Sequence, residues 1–518
     1  MSKIQAEGLT FSYPSSGDLI FENVDFQIDT DWRLGFVGRN GRGKTTLLRL
    51  LMGEYEYGGR IQASVSFDYF PYPVQNPERM TEEILREICP EAEEWEFMKE
   101  LFGLKMREDA FWRPFETLSN GERTKALLAA LFLKEGNFLL IDEPTNHLDM
   151  EARAAVAEYL RRKKGFILVS HDRYFLDLCV DHIMALNRTD IEVRSGNFSS
   201  WMDAFCRRQE AELSQNERLK KDIRRLKQSA LRTSMWSDQV EASKIGAADK
   251  GYVGHKSAKM MKRAKSIEAR QEKAMEEKAG LLKNLETAED LKLIPLSYRS
   301  ELLASFEAVS PIFHGRPVCE PVSFAVNRGD RIVLDGRNGS GKSSLLKLLL
   351  EEVSERGTLL SQTVSGLPSK EETQKLEHTG RILVGSGLIV SYVSQDTSFL
   401  KGSLSEFAEK SGIDETLLKA ILRKLDFGRE QFEKGMENFS GGQKKKVLIA
   451  RSLCEQAHLY VWDEPLNFID IYSRMQIERL ILEMRPTLLL VEHDRAFRDA
   501  AAGKTVRMEP AAKRETVD

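Results

Sequence analysis

The sequence lacks the features that would place it outside the cell or in a membrane. Its five cysteines are scattered singly with no C-x-x-C pair, which argues against a zinc site and a disulfide framework. The first thirteen residues hold no apolar segment of the kind found in secretory signals. The longest apolar runs, such as 126–133, are shorter than the roughly 18 to 20 residues that a membrane span needs. These absences predict a cytoplasmic protein without a membrane part.

A large net charge of one sign is also missing. The formal net charge is −4 over 518 residues, so the overall balance neither favours nor excludes a nucleic-acid partner. Any basic surface must therefore be local. The length predicts two or three domains.

What the sequence does contain is repetition, because four motifs occur twice in the same order. The pairs are GRNGRGKTT and GRNGSGKSS (38–46, 336–344), LSNGE and FSGGQ (118–122, 439–443), LLIDEPTNHLD and YVWDEPLNFID (139–149, 460–470), and SHDR and EHDR (170–173, 492–495). One domain is thus used twice, and we call the copies the first repeat (1–201) and the second repeat (299–508). A linker at 202–298 and a short polar tail at 509–518 complete the predicted organisation.

The pattern within each repeat predicts an α/β fold. A strand, a glycine loop and a helix follow one another at 33–53, and later apolar runs such as FLLID at 138–142 indicate buried parallel strands crossed by helices. In the linker, apolar residues such as Leu213, Leu219 and Ile267 are widely spaced in a charged background. This spacing predicts two helices of about 30 residues in an antiparallel coiled-coil hairpin, with 243–265 at its tip.

The glycine loops predict two phosphate-binding sites, since Gly-x-x-x-x-Gly-Lys-Ser/Thr wraps backbone N–H groups around phosphate at a helix N-terminus. Lys44 and Lys342 should reach the β and γ phosphates, and the hydroxyls of Thr45 and Ser343 should bind Mg²⁺. The loop candidates are Gly38, Asn40, Gly41, Gly43, Lys44, Thr45 and Thr46 in the first repeat, and Gly336, Asn338, Gly339, Ser340, Gly341, Lys342, Ser343 and Ser344 in the second.

Carboxylates at the ends of apolar strands predict the hydrolytic chemistry. Asp142 and Asp463 are placed to support the metal, and the next residues, Glu143 and Glu464, are placed to polarise an attacking water as general bases. An aspartate–glutamate pair that caps the next helix is the alternative reading. The histidines His171 and His493 also follow strands, and together they are predicted to sense the γ phosphate, although each alone is typical of a structural histidine.

These motifs together resemble the ABC ATPase family. Two fused copies without membrane segments, with DEPTNHLD and a charged linker, are similar to the ABC-F subfamily over nearly the whole chain. The resemblance implies two ATP molecules between the repeats, each bound by one glycine loop and the other repeat's serine-glycine signature. It assigns Ser440, Gly441 and Gly442 to the site of Lys44, and Ser119 and Gly121 to that of Lys342.

The sequence departs from the family pattern at several positions. Asn120 replaces a signature glycine, and the second repeat has Leu466, Phe468 and Ile469 in its DEPLNFID motif. The loop glutamine that helps hold magnesium is matched by Gln395, whereas the first repeat has no glutamine in register.

Two aromatic residues precede the glycine loops at equivalent places. Tyr13 and Phe313 are candidates for stacking on adenine, or else ordinary core residues.

The linker carries the local basic surface. From 218 to 270 there are fifteen lysines and arginines against five acids, a balance that suits a phosphate-rich partner. A solvated coiled coil is the alternative reading. The candidate RNA contacts are Lys244, Lys250, Tyr252, His255, Lys256, Lys259, Lys262 and Arg263.

The ABC-F resemblance implies a ribosome-bound ATPase. Its linker would point to the peptidyl-transferase region of 23S rRNA beside the P-site tRNA, ATP binding would close the repeats, and hydrolysis would release the protein. The linker tip and WDEPLNFID resemble the Lsa-type antibiotic-resistance proteins, which protect against lincosamides, streptogramin A and pleuromutilins. We expect a monomer that uses ATP and Mg²⁺, without membrane or DNA partners.

Three other functions are considered from the sequence. A housekeeping factor that relieves stalled ribosomes is the first alternative. The ATPase subunit of an exporter is disfavoured by the fused repeats and the basic linker. A DNA-repair ATPase of the excision type is disfavoured because its zinc cysteines are absent.

Overall fold

The computed structural model describes most of both repeats and the beginning of the linker. The described residues are 2–13, 19–146, 148–187, 190–242, 270, 291–360 and 376–511, without the side chains of 230–242. The chain separates into two compact units, Met1–Ser199 with Ala288–Asp518, and Ser200–Thr287. Both repeats therefore belong to one unit. The predicted segment boundaries remain predictions.

The first repeat and the start of the linker contain nine strands and seven α-helices within the described residues. The strands are β1 (Lys3–Ser12), β2 (Leu19–Asp29), β3 (Arg33–Gly38), β4 (Gly58–Gln62), β5 (Ser66–Phe70), β6 (Asn137–Asp142), β7 (Phe166–Val169), β8 (His182–Leu186) and β9 (Ile191–Ser195). The helices are α1 (Lys44–Leu51), α2 (Thr81–Ile88), α3 (Glu94–Gly103), α4 (Asn120–Leu133), α5 (Met150–Arg162), α6 (Arg173–Cys179) and α7 (Phe198–Ala242).

The second repeat follows the same plan in its described part. Its strands are β10 (Leu302–Phe313), β11 (Arg316–Pro317), β12 (Val322–Asn327), β13 (Arg331–Asp335), β14 (Thr358–Leu359), β15 (His378–Val384), β16 (Ile389–Val393), β17 (Leu459–Asp463), β18 (Leu488–Val491) and β19 (Lys504–Arg507). Its helices are α8 (Lys342–Arg356), α9 (Leu404–Ser411), α10 (Glu415–Lys424), α11 (Gly441–Cys454), α12 (Ile471–Met484) and α13 (Arg495–Ala501).

Each repeat is built around a mainly parallel sheet, as the apolar runs predict. The strand order is β5-β6-β7-β3-β8-β9 in the first repeat and β14-β16-β17-β18-β13-β19 in the second. The inner strands β7, β17 and β18 are buried along their whole length because both faces of the sheet are covered, which explains why they are apolar throughout rather than alternating. The carboxyl ends of neighbouring parallel strands meet at one edge, and the predicted site residues follow these ends.

A smaller antiparallel sheet accompanies each parallel sheet. In the first repeat its order is β2-β1-β4, and in the second β10 pairs with β11, β12 and β15. Buried side chains from β1 and β2 pack with those of β3 and α1, including Phe11, Phe21 and Leu47. The antiparallel sheet is thereby attached to the glycine loop between β3 and α1.

The first helix of the predicted linker hairpin is present. Helix α7 has 45 residues, longer than the predicted 30, because it begins at Phe198, before the predicted linker, and continues to Ala242. The predicted hairpin tip and second helix lie outside the described residues, apart from Arg270, which is helical. Among the described helices, none combines the length and the apolar character that crossing a membrane requires.

Two candidate nucleotide sites

The first glycine loop holds its lysine in a buried position. Lys44 Nζ donates to the carbonyl oxygens of Gly38 at 2.8 Å and Arg39 at 3.1 Å, and to Asn40 Oδ1 at 3.3 Å. Its side chain is 7% exposed, and burial lowers its pKa, although Asp470 of the second repeat acts in the opposite direction. The loop thus holds one positive charge beside a short, curved stretch of backbone, as phosphate binding requires.

The second glycine loop repeats this geometry. Lys342 Nζ donates to the carbonyl oxygens of Gly336 at 2.7 Å and Arg337 at 2.8 Å. Burial lowers the pKa of Lys342, and Asp149 of the first repeat partly counteracts this. The charge of an aspartate of the other repeat therefore opposes the effect of burial on the pKa of each loop lysine.

The helices behind the loops begin without side-chain caps. Helices α1 and α8 are preceded by Gly43 and Gly341, whose φ angles of 99° and 84° lie in the left-handed region. A Cβ on Gly43 would lie 2.6 Å from Ile20 Cγ2, so a side chain is excluded there. Because Gly43 and Gly341 have no side chain that could accept from the first N–H groups, the positive helix ends suit the phosphates of ATP.

A hydroxyl and a carboxylate meet beside each loop. Thr45 Oγ1 donates to Asp142 Oδ2 at 2.9 Å, and Ser343 Oγ donates to Asp463 Oδ1 at 3.1 Å. Tyr69 also donates to Asp142 Oδ2, at 3.0 Å, which the sequence did not suggest. One hydroxyl and one carboxylate fit Mg²⁺, which takes few protein ligands and completes its octahedron with phosphate and water. Accordingly, no cluster of three metal-ligating side chains exists among the described residues.

The candidate general bases have equivalent and unusual backbones. Glu143 and Glu464 have φ angles of 51° and 46°, and their N–H groups donate to the carbonyl oxygens of Val169 and Val491, both at 2.9 Å. A positive φ on a residue other than glycine is costly, and such residues are enriched at functional sites. The two backbones hold the glutamates just beyond the strand ends.

A histidine faces each glutamate. His171 Nε2 lies 3.2 Å from Glu143 Oε1, and His493 Nε2 lies 3.6 Å from Glu464 Oε1. Within the described part of the chain, neither Glu143 Oε1 nor His493 Nε2 makes a hydrogen bond, although both atoms are buried. Buried polar atoms without partners are rare in proteins, and these two suit a bound phosphate and an attacking water.

The electrostatic environments of the two glutamates differ. Burial raises the pKa of Glu143 to about 8, and the charge of Asp142 adds to the shift. Burial alone also raises the pKa of Glu464, but His493 and Asn467 outweigh it and lower the pKa to about 2. At neutral pH the second glutamate is therefore an anion, while the first is largely protonated.

Burial also shifts the pKa values of His171 and Asp463. Burial lowers the pKa of His171 well below its usual value, so its imidazole is neutral. Burial raises the pKa of Asp463 to about 6, although the Ser343 hydroxyl opposes the shift.

The loop glutamine of the second repeat reaches the general base. Gln395 Nε2 donates to Glu464 Oε2 at 2.8 Å. In the first repeat, β5 and β6 align Phe70 with Ile141, just as β16 and β17 align Val393 with Trp462. This register puts Tyr72 at the position of Gln395, so the described structure agrees that the first repeat has no glutamine there.

Residues of the two repeats meet at the first glycine loop. Asn40 Nδ2 donates to the carbonyl oxygen of Phe468 at 2.8 Å, and a Cβ on Gly442 would lie 3.0 Å from Asn40 Nδ2. The ring of Phe468 packs beside Gly441. The second signature therefore lies at the first glycine loop, as the family resemblance implies.

At the second glycine loop, a residue of the loop contacts a residue of the first repeat. Arg337 Nη2 pairs with Glu151 Oε2 at 2.5 Å, and Glu151 belongs to α5 of the first repeat. The two glycine loops thus both contact the helix or loop that follows the other repeat's strand-end glutamate.

The signature serines begin helices. Ser119 and Ser440 cap α4 and α11, and each forms a capping box with the residue three positions later, Glu122 or Gln443. Asn120 is the first residue of α4, where its side chain is exposed, so the helix tolerates it in place of glycine. Leu466 and Ile469 are fully buried, so these departures from the family pattern belong to the core.

The aromatic candidates have different surroundings. Tyr13 packs edge-on against Phe11 and Tyr55, and its hydroxyl shares a 2.8 Å hydrogen bond with Thr46 Oγ1. The Phe313 side chain is 48% exposed. The RNA-contact candidates of the linker tip all lie outside the described residues.

Several buried charges near the sites were not singled out from the sequence. Lys446 pairs with Asp470 at 2.7 Å, and Arg474 pairs with Asp494 at 2.7 Å. The N-cap position of Asp470, before the apolar helix α12, is a visible sequence signal. Its ion pair is not visible, because Lys446 comes from another helix.

Comparison with known proteins identifies relatives of this arrangement. The profile of the ABC transporter family matches residues 21–146 and 319–467. Ribosome protection protein VmlR of Bacillus subtilis is 25% identical over 496 residues, which cover 94% of this chain and 83% of that protein. The energy-dependent translational throttle protein EttA of Haemophilus influenzae is 24% identical over 536 residues, covering 93% and 88%. The solved structure of RNase-L Inhibitor has a similar fold, with a TM-score of 0.60 at 18% identity, covering 98% of this chain and 91% of that chain.

Proposed function

Because the chain belongs to the ABC transporter family, and is within it an ABC-F ATPase, we propose that it uses ATP-driven closure of its repeats to act on the ribosome. Relatives that match over 93% or more of the chain are named for ribosome protection and for throttling translation. The proposed site of action is the cytoplasm, and the protein acts as a monomer whose two repeats pair with each other.

The observation that carries the proposal is the contact between repeats at both glycine loops. Asn40 contacts Phe468, and Arg337 contacts Glu151, so in this proposal a nucleotide held by either loop would lie beside the other repeat. Binding free energy at both sites then favours closure. Helix α7 leaves the first repeat at Phe198 and leads into the basic stretch 218–270, so closure changes the environment of the linker's starting point.

The residues of each site have distinct tasks in this proposal. Lys44 and Lys342 hold the β and γ phosphates, and the hydroxyls of Thr45 and Ser343, with Asp142 and Asp463, hold Mg²⁺, with Gln395 assisting in the second site. When bound, ATP with Mg²⁺ supplies the phosphoanhydride that is cleaved. Glu143 and Glu464 accept the proton of the attacking water, and His171 and His493 hold the γ-phosphate end.

The two sites have different basicities in this proposal. Glu464 is ionised at neutral pH and ready to accept a proton, since its pKa is lowered to about 2. Glu143, whose pKa burial raises to about 8, ionises more readily when the charge of Mg²⁺ is nearby.

The linker is the proposed contact with the ribosome. Its net positive charge between 218 and 270 suits RNA phosphates, and Tyr252 and His255 supply rings for stacking on unpaired bases. Its tip would reach 23S rRNA near the peptidyl-transferase centre and the P-site tRNA. There it would displace bound lincosamides, streptogramin A or pleuromutilins, and ATP hydrolysis would then release the protein.

Ribosome retention tests the core of this proposal. The double variant Glu143→Gln with Glu464→Gln keeps the shape of both sites but removes both bases. With ATP, it should stay bound to 70S ribosomes through a sucrose gradient, while the wild type dissociates. RNase but not DNase treatment should abolish the association. A double variant that leaves the ribosome as fast as the wild type would refute the proposal.

A drug-tolerance assay separates resistance from a housekeeping role. The translational throttle relative supports the housekeeping factor as a second candidate. Wild type and a variant shortened between Ser243 and Lys256 are expressed in a drug-sensitive strain. Resistance predicts clindamycin tolerance with the wild type only. Equal sensitivity of both strains favours the housekeeping role.

A further inference from the structure

The second repeat contains two buried, oppositely charged residues at positions where the first repeat has neutral ones. Lys445 lies five residues after the signature serine and is 2% exposed, and Glu492 precedes His493 and is 3% exposed. The equivalent residues of the first repeat are Thr124 and Ser170. A buried charge is costly unless it has a partner, so the appearance of both charges in one repeat calls for a joint explanation.

Lys445 forms hydrogen bonds with the backbone immediately before two site residues. Its Nζ donates to the carbonyl oxygen of Ser394 at 2.8 Å and reaches that of Asp463 at 3.5 Å. These carbonyls immediately precede Gln395 and Glu464, whose side chains are hydrogen-bonded to each other. One ammonium group thus fixes the spacing between the strand ends that carry the glutamine and the base.

Glu492 joins the remaining two segments of the same site. Its Oε1 accepts from the backbone N–H groups of His493 at 2.7 Å and Asp494 at 3.2 Å. Its Oε2 accepts from the N–H of Leu466 at 3.2 Å, two residues after Glu464. The carboxylate therefore ties the histidine loop to the loop that follows the general base.

The first repeat makes a weaker connection at this place. Ser170 shares a 3.2 Å hydrogen bond with the hydroxyl of Thr145, which corresponds to Leu466, and accepts from the N–H of Asp172 at 3.2 Å. Neutral hydrogen bonds replace charge-assisted ones, and charge-assisted bonds are roughly twice as strong.

We propose that Lys445 and Glu492 act as a pair of positioning residues for ATP hydrolysis in the second site, by holding Gln395, Glu464 and His493 in one arrangement. The inference rests on the assignment of Glu464 as a base within the proposed function and does not depend on the ribosome. Neither residue touches the reacting atoms, so the pair acts through the three side chains it positions. Loss of the pair should slow the chemical step while leaving ATP binding by the glycine loop intact.

The test exchanges the pair for its first-repeat counterparts. In a Glu143→Gln parent, where only the second base remains, Lys445→Thr, Glu492→Ser and the double variant are compared by ATPase kinetics without ribosomes. Each single variant removes one of two buried charges that favour each other electrostatically, so it should lower the melting temperature. The double variant removes both charges together and should recover part of this loss.

The kinetic result separates positioning from a structural role. We expect the double variant to keep its KM for ATP within about twofold and to lose roughly tenfold in kcat, since small misplacements of reacting groups have large kinetic effects. The control is the double variant Lys504→Ala with Asp330→Ala, which removes an ion pair elsewhere in the same repeat. Lys504 Nζ and Asp330 Oδ2 lie 2.8 Å apart in the unchanged protein. Loss of this ion pair should leave kcat and KM unchanged.

Three outcomes would overturn the inference. A double variant that regains kcat together with its melting temperature would show that the pair is only structural. A rise in KM at unchanged kcat would place the pair in ATP binding. A Glu143→Gln parent without any turnover would remove Glu464 as an independent base, and this would contradict the inference without affecting ribosome binding.

Discussion

The side-chain amide of Asn40 donates a 2.8 Å hydrogen bond to the main-chain carbonyl of Phe468, a residue of the other repeat. The same amide lies beside Gly442, and its oxygen accepts from Lys44 Nζ at 3.3 Å. Asn40 therefore connects the first glycine loop with the signature and the strand-end loop of the second repeat. The proposed phosphate loop and the contact between the repeats share one side chain.

The change Asn40→Ala should weaken ATP binding at the first site. It removes one hydrogen bond across the repeats and one to Lys44, each contributing about 1 kcal/mol. We expect the KM for ATP to rise about fivefold or more, measured by steady-state hydrolysis in a Glu464→Gln background. The equivalent change in the second loop, Asn338→Ala, provides a comparison for the second site. An unchanged KM in Asn40→Ala would contradict a role for this contact.

Alanine at the two equivalent signature glycines should have unequal effects. A Cβ on Gly442 would lie 2.3 Å from the carbonyl oxygen of Phe468, whereas a Cβ on Gly121 would meet only Leu148 Cδ2, at 3.4 Å. Gly442→Ala should therefore reduce kcat/KM by roughly tenfold or more, because the Phe468 loop, whose carbonyl accepts from Asn40 of the first repeat, must shift to relieve the clash. Gly121→Ala should stay within about threefold. Equal losses in both variants would argue against this account.

Removing the carboxylate of Asp470 should destabilise the protein in a pH-dependent way. Despite its burial, the pKa of Asp470 is lowered, mainly by Lys446 at 2.7 Å. A lowered folded-state pKa gives stability that is present above the unfolded pKa of about 3.9 and is lost as the pH falls below it. Asp470→Asn should therefore cost about 3–5 kcal/mol at pH 7, because it leaves Lys446 buried and unpaired.

Melting temperatures from pH 7 to about pH 2.5 test this prediction, because the stability from Asp470 is lost between the unfolded pKa of about 3.9 and the lowered folded-state pKa. The gap between the wild type and Asp470→Asn should narrow as the solution becomes acidic. The matched control is Asp149→Asn, which changes the N-cap of α5 in the first repeat. Asparagine is also a good N-cap, so this variant should lose less than about 1 kcal/mol. A gap that is constant with pH would mean that Asp470 acts only as a cap.

Loss of the loop hydroxyls should raise the magnesium requirement. Thr45→Val and Ser343→Ala each remove the hydroxyl that donates to a strand-end aspartate, at 2.9 Å to Asp142 and 3.1 Å to Asp463. We expect about a tenfold higher Mg²⁺ concentration for half-maximal hydrolysis, since second-sphere or direct ligands typically contribute this much. Magnesium titrations in backgrounds with one active base measure each site separately. The proposed metal role fails if the titration midpoints do not move.

The local arrangement of residues in both candidate sites was predictable from the sequence. A glycine loop between a strand and a helix, a strand-end acid and a capping serine each depend on neighbours within a few residues. The structure accordingly has Lys44 and Lys342 buried in their loops, and the hydroxyls of Thr45 and Ser343 on the predicted aspartates. The repeated α/β fold followed from the same local patterns.

What only the tertiary structure decided are the contacts between distant segments. Phe468 looked like a departure from a motif, yet its carbonyl meets Asn40 across the repeats. Lys445 stands in the middle of a run of three lysines, yet it lies in the core behind Gln395 and Glu464. Such partners cannot be predicted from local pattern, because they depend on which strands are neighbours in the sheet and on how the two repeats face each other. Burial then determines whether a charge is a solvated surface group or a paired one.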